Sequence, residues 1–262
     1  MRIYPKKRLG QNFLTDRHII KKIIQSLELT PSDIILEIGS GKGQITSLIA
    51  SLVDKVYAVE LDRNLLQELS FALKENKNVK IINEDILKIE PKVFLNGKDK
   101  IKVFGNIPYY ISTPVLEFII KNREIIDRAF ITVQKEFARR VVGSPGSKEY
   151  GALSLFIQYY ASCRILFNID KGCFFPKPKV DSSFLCLKLR DNPLAAVKDE
   201  ELLFKLIRTS FNQRRKALRN SLKGMLDKEE IQEFLIKRKK SLNSRPEELS
   251  LEDFTALSGL LA

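Results

Sequence analysis

With 262 residues, 44% of them hydrophobic, the chain suits one large domain or a main domain with an appendage. One histidine and three widely spaced cysteines without a Cys-x-x-Cys argue against a zinc site, a disulfide framework, histidine acid–base catalysis or a thiol nucleophile. The formal charge of +13 is concentrated in residues 1–25, with seven Lys/Arg against Asp16, and in residues 204–245, with thirteen Lys/Arg against Asp227, Glu229, Glu230 and Glu233. Two basic segments flanking a near-neutral core predict a nucleic-acid partner. No apolar run reaches the roughly 18 residues of a membrane span, so a cytoplasmic protein is expected.

Residues 2–15 are basic, and too short and mixed for a regular element. Asp16 or Thr15 is placed to cap a helix running to about residue 27, with Ile19, Ile20, Ile23, Ile24 and Leu27 on one face. Thr30-Pro31 ends it. Residues 34–38 read as a short buried strand, broken by alternate glycines at Gly39, Gly41 and Gly43 before an apolar helical run at 45–53. A strand passing through glycines into a helix brings backbone amides against a nucleotide-like ligand. Lys42 is followed by Gly43 rather than Ser or Thr, so the turn is no phosphate-cradling P-loop, and its G-x-G-x-G spacing differs from the dinucleotide fingerprint. With Glu37 before it, it resembles the first motif of S-adenosylmethionine-dependent methyltransferases. Residues 55–60 read as the next strand, and its final residue, Glu60, stands where α/β nucleotide folds put a ribose-binding carboxylate.

A helix is expected over 62–76 and a third strand over 79–82, closing on Asn83-Glu-Asp-Ile86. Asp85, just past that strand, is either a turn or capping residue or a partner for an adenine amino group. Further strands are expected at 101–105 and 129–134, with helices at 114–120, 136–142 and 152–161 and a flexible loop at 143–147. Two last strands, 163–169 and 183–189, flank a link containing Pro176 and Pro178. The alternation predicts a doubly wound, mainly parallel α/β sheet over residues 1–190. Beyond Arg190-Asp-Asn-Pro193 the pattern is helical, at about 199–210, 213–226, 228–239 and 250–261, giving a second domain over 191–262.

Asn106-Ile-Pro-Tyr109 follows the fourth strand directly. The lone pair of an exocyclic adenine nitrogen is delocalised into the ring. Accepting hydrogen bonds from both of its N–H groups localises that lone pair for attack on a methyl donor. Asn106 Oδ1 and the carbonyl of Ile107 or Pro108 are suitable acceptors, and Tyr109 offers a face for stacking the base. No strong base is needed, because a sulfonium is already a good leaving group and positioning carries the rate.

These segments together resemble the ribosomal RNA adenine N6,N6-dimethyltransferases of the KsgA type, over nearly the whole chain. The resemblance rests on Leu9-Gly-Gln-Asn-Phe-Leu14, Glu37 to Gly43, Asn106 to Tyr109, Gln134-Lys-Glu136, Tyr150-Gly-Ala-Leu-Ser154, Phe174 to Ser182 and Phe211 to Leu218. It implies a Rossmann-like class I methyltransferase fold with a seven-stranded, mostly parallel sheet and a small helical C-terminal domain. It implies S-adenosylmethionine as cofactor, no metal, and a monomer acting on the small ribosomal subunit. Gln11, Asn12 and Leu14 would close over the cofactor, Gly39 and Gly41 lie beneath it, and Glu60 and Leu61 hold its ribose. Asp85 and Ile86 would meet its adenine, and Asn106 would lie between cofactor and target. Pro108 would fix the acceptor loop, and Phe174 would sandwich the target base against Tyr109. The family's substrate is a pair of adjacent adenines in the 3′-terminal hairpin of small-subunit RNA. Arg214, Arg215, Lys216 and Arg219 are the expected phosphate contacts. Asn-Ile-Pro-Tyr also resembles the Erm methyltransferases, which modify a large-subunit adenine. A ribosome-assembly factor without catalysis is the alternative of a different class.

Overall fold

The computed structural model describes residues 5–6, 9–95, 97, 100–213 and 216–261. The chain forms two units, Met1–Ala138 with Ser162–Asp191, and Arg139–Ala161 with Asn192–Ala262. The first is built around a sheet whose strands are β2 (Ile34–Ile38), β3 (Lys55–Val59), β4 (Val79–Ile82), β5 (Ile101–Asn106), β6 (Ile126–Gln134), β7 (Ala161–Ile169) and β9 (Ser182–Leu189). A separate two-stranded sheet pairs β1 (Phe13–Leu14) with β8 (Phe174–Phe175), antiparallel. Helices α1 (Arg17–Ser26), α2 (Gln44–Ala50), α3 (Leu66–Ala72) and α4 (Ser112–Lys121) connect the early strands, and α5 (Lys135–Val141) leaves β6.

The strand order is β4-β3-β2-β5-β6-β9-β7; β4 to β6 run parallel, and β9 pairs antiparallel with β6. All five residues of β2 are buried, as expected of a central parallel strand covered on both faces. Edge strand β4 is only partly buried. Asp16 caps α1 by accepting from the His18 and Ile19 amides, and Ile20 and Ile23 then face the core with Ile35, Ile49, Val56, Phe104, Phe130 and Phe184. The chain first builds outward from β2 to β4, then returns to lay β5 on the other side of β2. That reversal is the topological switch point, where the carboxyl ends of strands open a crevice.

The second unit contains α6 (Ala152–Tyr160), α7 (Glu200–Asn212), α8 (Leu218–Ser221), α9 (Lys228–Lys237) and α10 (Leu251–Ser258). Against the expected division at 190/191, residues 139–161 cluster with this unit. The reason is aromatic packing: Phe156, Tyr159 and Tyr160 of α6 set their rings 5.3–5.9 Å from Phe204 of α7. The Tyr160 hydroxyl also donates to Glu200 Oε2 at 2.5 Å. Tyr150 donates to the Leu249 carbonyl and packs edge-on against Phe211.

Three expectations need correction. Of the helix expected over 213–226, the described residues form a single turn, Leu218–Ser221. Gln213 leaves helical geometry, Ala217 is extended, and the Leu218 amide donates to Ser244 O rather than to a preceding turn. Within the segment 2–15, expected to be irregular, Phe13–Leu14 is a strand, because its partner Phe174–Phe175 lies about 160 residues away in the chain. Similarly, the helix expected over 62–76 divides into a 3-10 turn, Arg63–Leu65, and the seven-residue α3. Among the described residues no helix is long and apolar enough to cross a membrane.

Candidate active site

The crevice at the switch point is lined by six stretches of the sequence. The glycine turn after β2, Glu60 and Leu61 after β3, and Asp85 and Ile86 after β4 form one part. Asn106 to Tyr109 after β5, and Leu9 to Phe13 with Phe174, form the rest. The register explains the first juxtaposition: Ile38 pairs with Gly105, so Gly39 and Asn106 leave adjacent strands side by side. Gly39, Gly41 and Gly43 all have positive φ, and a Cβ on Gly41 would stand 3.1 Å from the Phe13 ring.

Glu60 is 6% exposed. Its Oε2 accepts from the Gly41 amide at 2.8 Å and its Oε1 from the Asp62 amide at 2.8 Å, so the carboxylate bolts the glycine turn to β3. Each oxygen keeps a further lone pair for ligand hydroxyls. Burial pushes the Glu60 carboxyl above its usual value against the pull of those two amides. Asp85 Oδ1 caps the short turn Ile86–Lys88 by accepting from the Leu87 amide. The side chain also lines the crevice, so the two readings of Asp85 are compatible.

Asn106 Nδ2 donates to the Asn12 carbonyl at 2.9 Å. That bond orients the amide and leaves Oδ1 as its acceptor end. The Pro108 carbonyl accepts from the Ile111 amide at 3.1 Å, while the Ile107 amide donates to Thr132 O. Of the two carbonyls left open by the sequence, Ile107's is therefore the one not engaged by that turn. The Tyr109 hydroxyl shares a 2.7 Å hydrogen bond with Ser182 Oγ, a fully buried group at the start of β9. Phe174 is 4% exposed, held in the core by the β1–β8 pairing, and borders the same crevice as Tyr109. No ring pairing joins Phe174 to Tyr109 among the described residues.

Sequence reasoning missed Ser182 and Asp62. The first is visible only because Gln134 pairs with Ser182 across β6 and β9. The second had one local signal, an Asp two residues past Glu60 ahead of a helix, which caps the turn through Asn64 N. Leu14 is 5% exposed and belongs to the core rather than the crevice wall. Arg214 and Arg215 lie outside the described residues. Lys216 is exposed, and Arg219 Nη2 donates to Asn243 Oδ1 at 3.0 Å.

Below the glycine turn, Glu37 is 2% exposed and its Oε2 has no hydrogen-bond partner. Burial pushes its carboxyl up to about 7, with the Glu60 charge adding to the rise and the Thr46 and Ser40 side chains offsetting part of it. The folded protein thus keeps a proton that the unfolded chain loses, and stability falls as pH rises from about 4.5 to about 7. Glu37→Gln should remove that slope and raise stability at about pH 8 by on the order of 3 kcal/mol. Urea unfolding of both proteins at about pH 5 and about pH 8 checks this, and equal slopes would reject it.

The crevice fits a nucleoside carrying a charged amino-acid end. The buried Glu60 carboxylate holds the glycine turn, and Ile38, Leu61, Ile86 and Asp85 line the same crevice. The family model described as Ribosomal RNA adenine dimethylase matches residues 4–261. The chain is 44% identical to a protein of Lachnoclostridium phytofermentans named Ribosomal RNA small subunit methyltransferase A, covering 98% of this chain and 91% of that one. A protein of the same name from Caldanaerobacter subterraneus subsp. tengcongensis is 40% identical, with 98% and 97% covered. Among solved structures, the 23S rRNA methyltransferase ErmE superposes with a TM-score of 0.78 at 25% identity, covering 95% of this chain and 99% of that one. A dimethyladenosine transferase from Plasmodium falciparum gives the same TM-score at 24% identity, with 95% and 96% covered.

Proposed function

The chain belongs to the ribosomal RNA adenine dimethylase family, and from that premise we propose that it dimethylates N6 of two adjacent adenines in the 3′-terminal hairpin loop of small-subunit RNA. It is an S-adenosylmethionine-dependent enzyme of the α/β class I fold. One observation carries the reading: at the switch point, Asn106 and Tyr109 share a crevice with the glycine turn and Glu60. When bound, S-adenosylmethionine supplies an electrophilic methyl group on a sulfonium.

The residues assigned to hold it are Gln11, Asn12, Gly39, Gly41, Glu60, Leu61, Asp85, Ile86 and Asn106, with Leu14 supporting the arm from the core. Asn106 Oδ1 and the Ile107 carbonyl accept the two amino protons of the target adenine, turning the nitrogen lone pair toward the methyl. Pro108 keeps that carbonyl aimed. Tyr109 stacks on the base, and Phe174 backs the opposite side. After transfer the amino proton leaves to solvent, so no metal and no strong base are assigned a role. In a loop, displacing the base costs little. Lys216 and Arg219, with Arg214 and Arg215, are assigned to phosphates, giving salt-sensitive contacts with little base readout. We place the enzyme in the cytoplasm, as a monomer away from membranes.

Tyr109→Ala should weaken capture of the target nucleotide by roughly 1–3 kcal/mol, seen as a raised KM for undermethylated subunits. Tyr109→Phe keeps the ring and loses only the Ser182 bond, so its KM should stay much closer to that of the parent. Equal losses in the two variants would remove stacking as the role. The reading itself is tested with labelled S-adenosylmethionine and, separately, undermethylated small and large subunits, followed by mass-spectrometric mapping. Dimethyladenines in the small-subunit 3′ hairpin are expected. Label in large-subunit RNA would transfer the chain to the Erm reading, and binding without transfer would leave an assembly factor.

A further inference from the structure

Tyr109, Tyr110 and Ile111 form one 3-10 turn directly after Pro108, so the two tyrosines leave the chain about 120° apart. Tyr109 is turned toward β9, where its hydroxyl meets Ser182. Tyr110 is turned toward Gly10 instead. That glycine has a φ of +60°, and a Cβ on it would stand 3.2 Å from the Tyr110 ring and 3.3 Å from Pro108 Cβ. Bare backbone therefore lies against part of the Tyr110 ring and fixes its setting. The rest of the residue is open, at 59% exposure, and no hydrogen bond or ring contact engages its side chain among the described residues. Among the large apolar side chains that line the crevice, Leu61 and Tyr110 are the exposed ones. Leu61 is already assigned to the cofactor, and Tyr110 has no task.

We propose that Tyr110 is a substrate-binding residue, the platform on which the second adenine of the pair stacks while the first occupies the crevice. The inference rests on the dimethylase reading and deepens it, by giving a place to the neighbouring base. Adjacent purines stack on each other, so drawing one into the crevice strips a face from its partner. That separation costs little in a loop, but the bared face still gains from a new ring. Two consecutive tyrosines supply one ring to each base, and their divergence in the 3-10 turn keeps the two bases apart. Stacking uses the π-face and none of the amino hydrogens, so the platform takes adenine and dimethyladenine alike. The same ring thus serves the unmodified neighbour during the first two transfers. It serves the finished base during the last two, once the bases have changed places.

The test measures affinity of the full chain for a short RNA hairpin carrying the adenine pair in its loop, by fluorescence anisotropy. Beside it stands the same hairpin with one adenine of the pair replaced by an abasic sugar, which leaves the other free to take the crevice. The parent should bind the abasic hairpin about tenfold more weakly than the intact one. Tyr110→Ala should bind the intact hairpin about tenfold more weakly than the parent, and should hardly distinguish the two RNAs. Tyr110→Phe keeps the ring and should behave as the parent. The control Phe71→Ala removes a ring that is 73% exposed on α3, outside the crevice lining, and should change nothing. Affinity of Tyr110→Ala for S-adenosylhomocysteine, read by calorimetry without RNA, should match that of the parent. A tenfold loss there would give the ring to the cofactor and overturn the platform. So would a parent that binds both hairpins alike, or a Tyr110→Ala protein that weakens both RNAs equally, as a merely structural residue would. In each of these cases the dimethylase reading stands on its own product mapping. If the parent methylates no small-subunit adenine, the pair is not its substrate and both readings fall together.

Discussion

Asn106→Ala is expected to lower the single-turnover rate of methyl transfer by about 10²–10³-fold, the loss that follows removal of one preorganised hydrogen-bond group at a reacting centre. Affinity for S-adenosylhomocysteine should fall far less, since the glycine turn and Glu60 remain. The substitution removes the Oδ1 acceptor and also frees the Asn12 carbonyl from its 2.9 Å partner. Asn106→Asp separates these effects. It preserves an acceptor for the adenine amino group but sets a second oxygen against the Asn12 carbonyl, where an N–H now stands. Its rate should lie between those of the parent and the alanine variant. Rates would be read with stripped small subunits under enzyme excess, and a parent-like rate in Asn106→Ala would show that the amide is not the acceptor.

Glu60→Ala should carry the largest penalty in cofactor binding, together with a cost in stability. Affinity should drop by about 100-fold or more, as expected when hydrogen bonds from ligand hydroxyls to a buried carboxylate are lost. The Gly41 and Asp62 amides would lose their acceptor in a buried setting, at roughly 1–3 kcal/mol each. Relief of the strained ionisation that keeps the Glu60 carboxyl above its usual value offsets part of that cost. Calorimetry and urea unfolding read the two effects separately. Glu60→Gln retains the shape and one acceptor oxygen but turns its NH2 toward the other buried amide, so it should recover only part of the stability and little of the affinity. Normal cofactor binding in Glu60→Gln would show that charge at this position contributes nothing to recognition.

The sheet was legible because its signals are local. Ile34 to Ile38 is a five-residue apolar run, and a fully buried parallel strand permits little else. Glycine, carboxylate and Asn-x-Pro-Tyr groups each stand directly after a strand, and carboxyl ends of strands in a doubly wound sheet converge. Sequence order therefore determined the crevice and most of its lining. The Lys/Arg-rich stretch at 213–226 was less legible. Straight-chain basic residues are good helix formers, yet propensity is a weak prior without a continuous apolar face to pack, and among the described residues of this stretch only Leu218–Ser221 is helical.

By itself the sequence determined the fold class, the glycine turn with its acidic partner, and the Asn-Ile-Pro-Tyr loop that follows the fourth strand of the main sheet. Each is written within a few consecutive residues or in strand periodicity. Only the tertiary structure decided which partners those residues have. Phe13–Leu14 becomes a strand on meeting Phe174–Phe175, and Ser182 meets Tyr109 because β9 runs back antiparallel along β6. The Pro108 carbonyl is taken by Ile111, which leaves Ile107's outside that turn, and Lys6 finds Asp62 56 residues away. Such pairings depend on register and chain reversal over long sequence separations. No propensity or spacing encodes them, because the free energy that selects them arises only when distant segments share a desolvated surface.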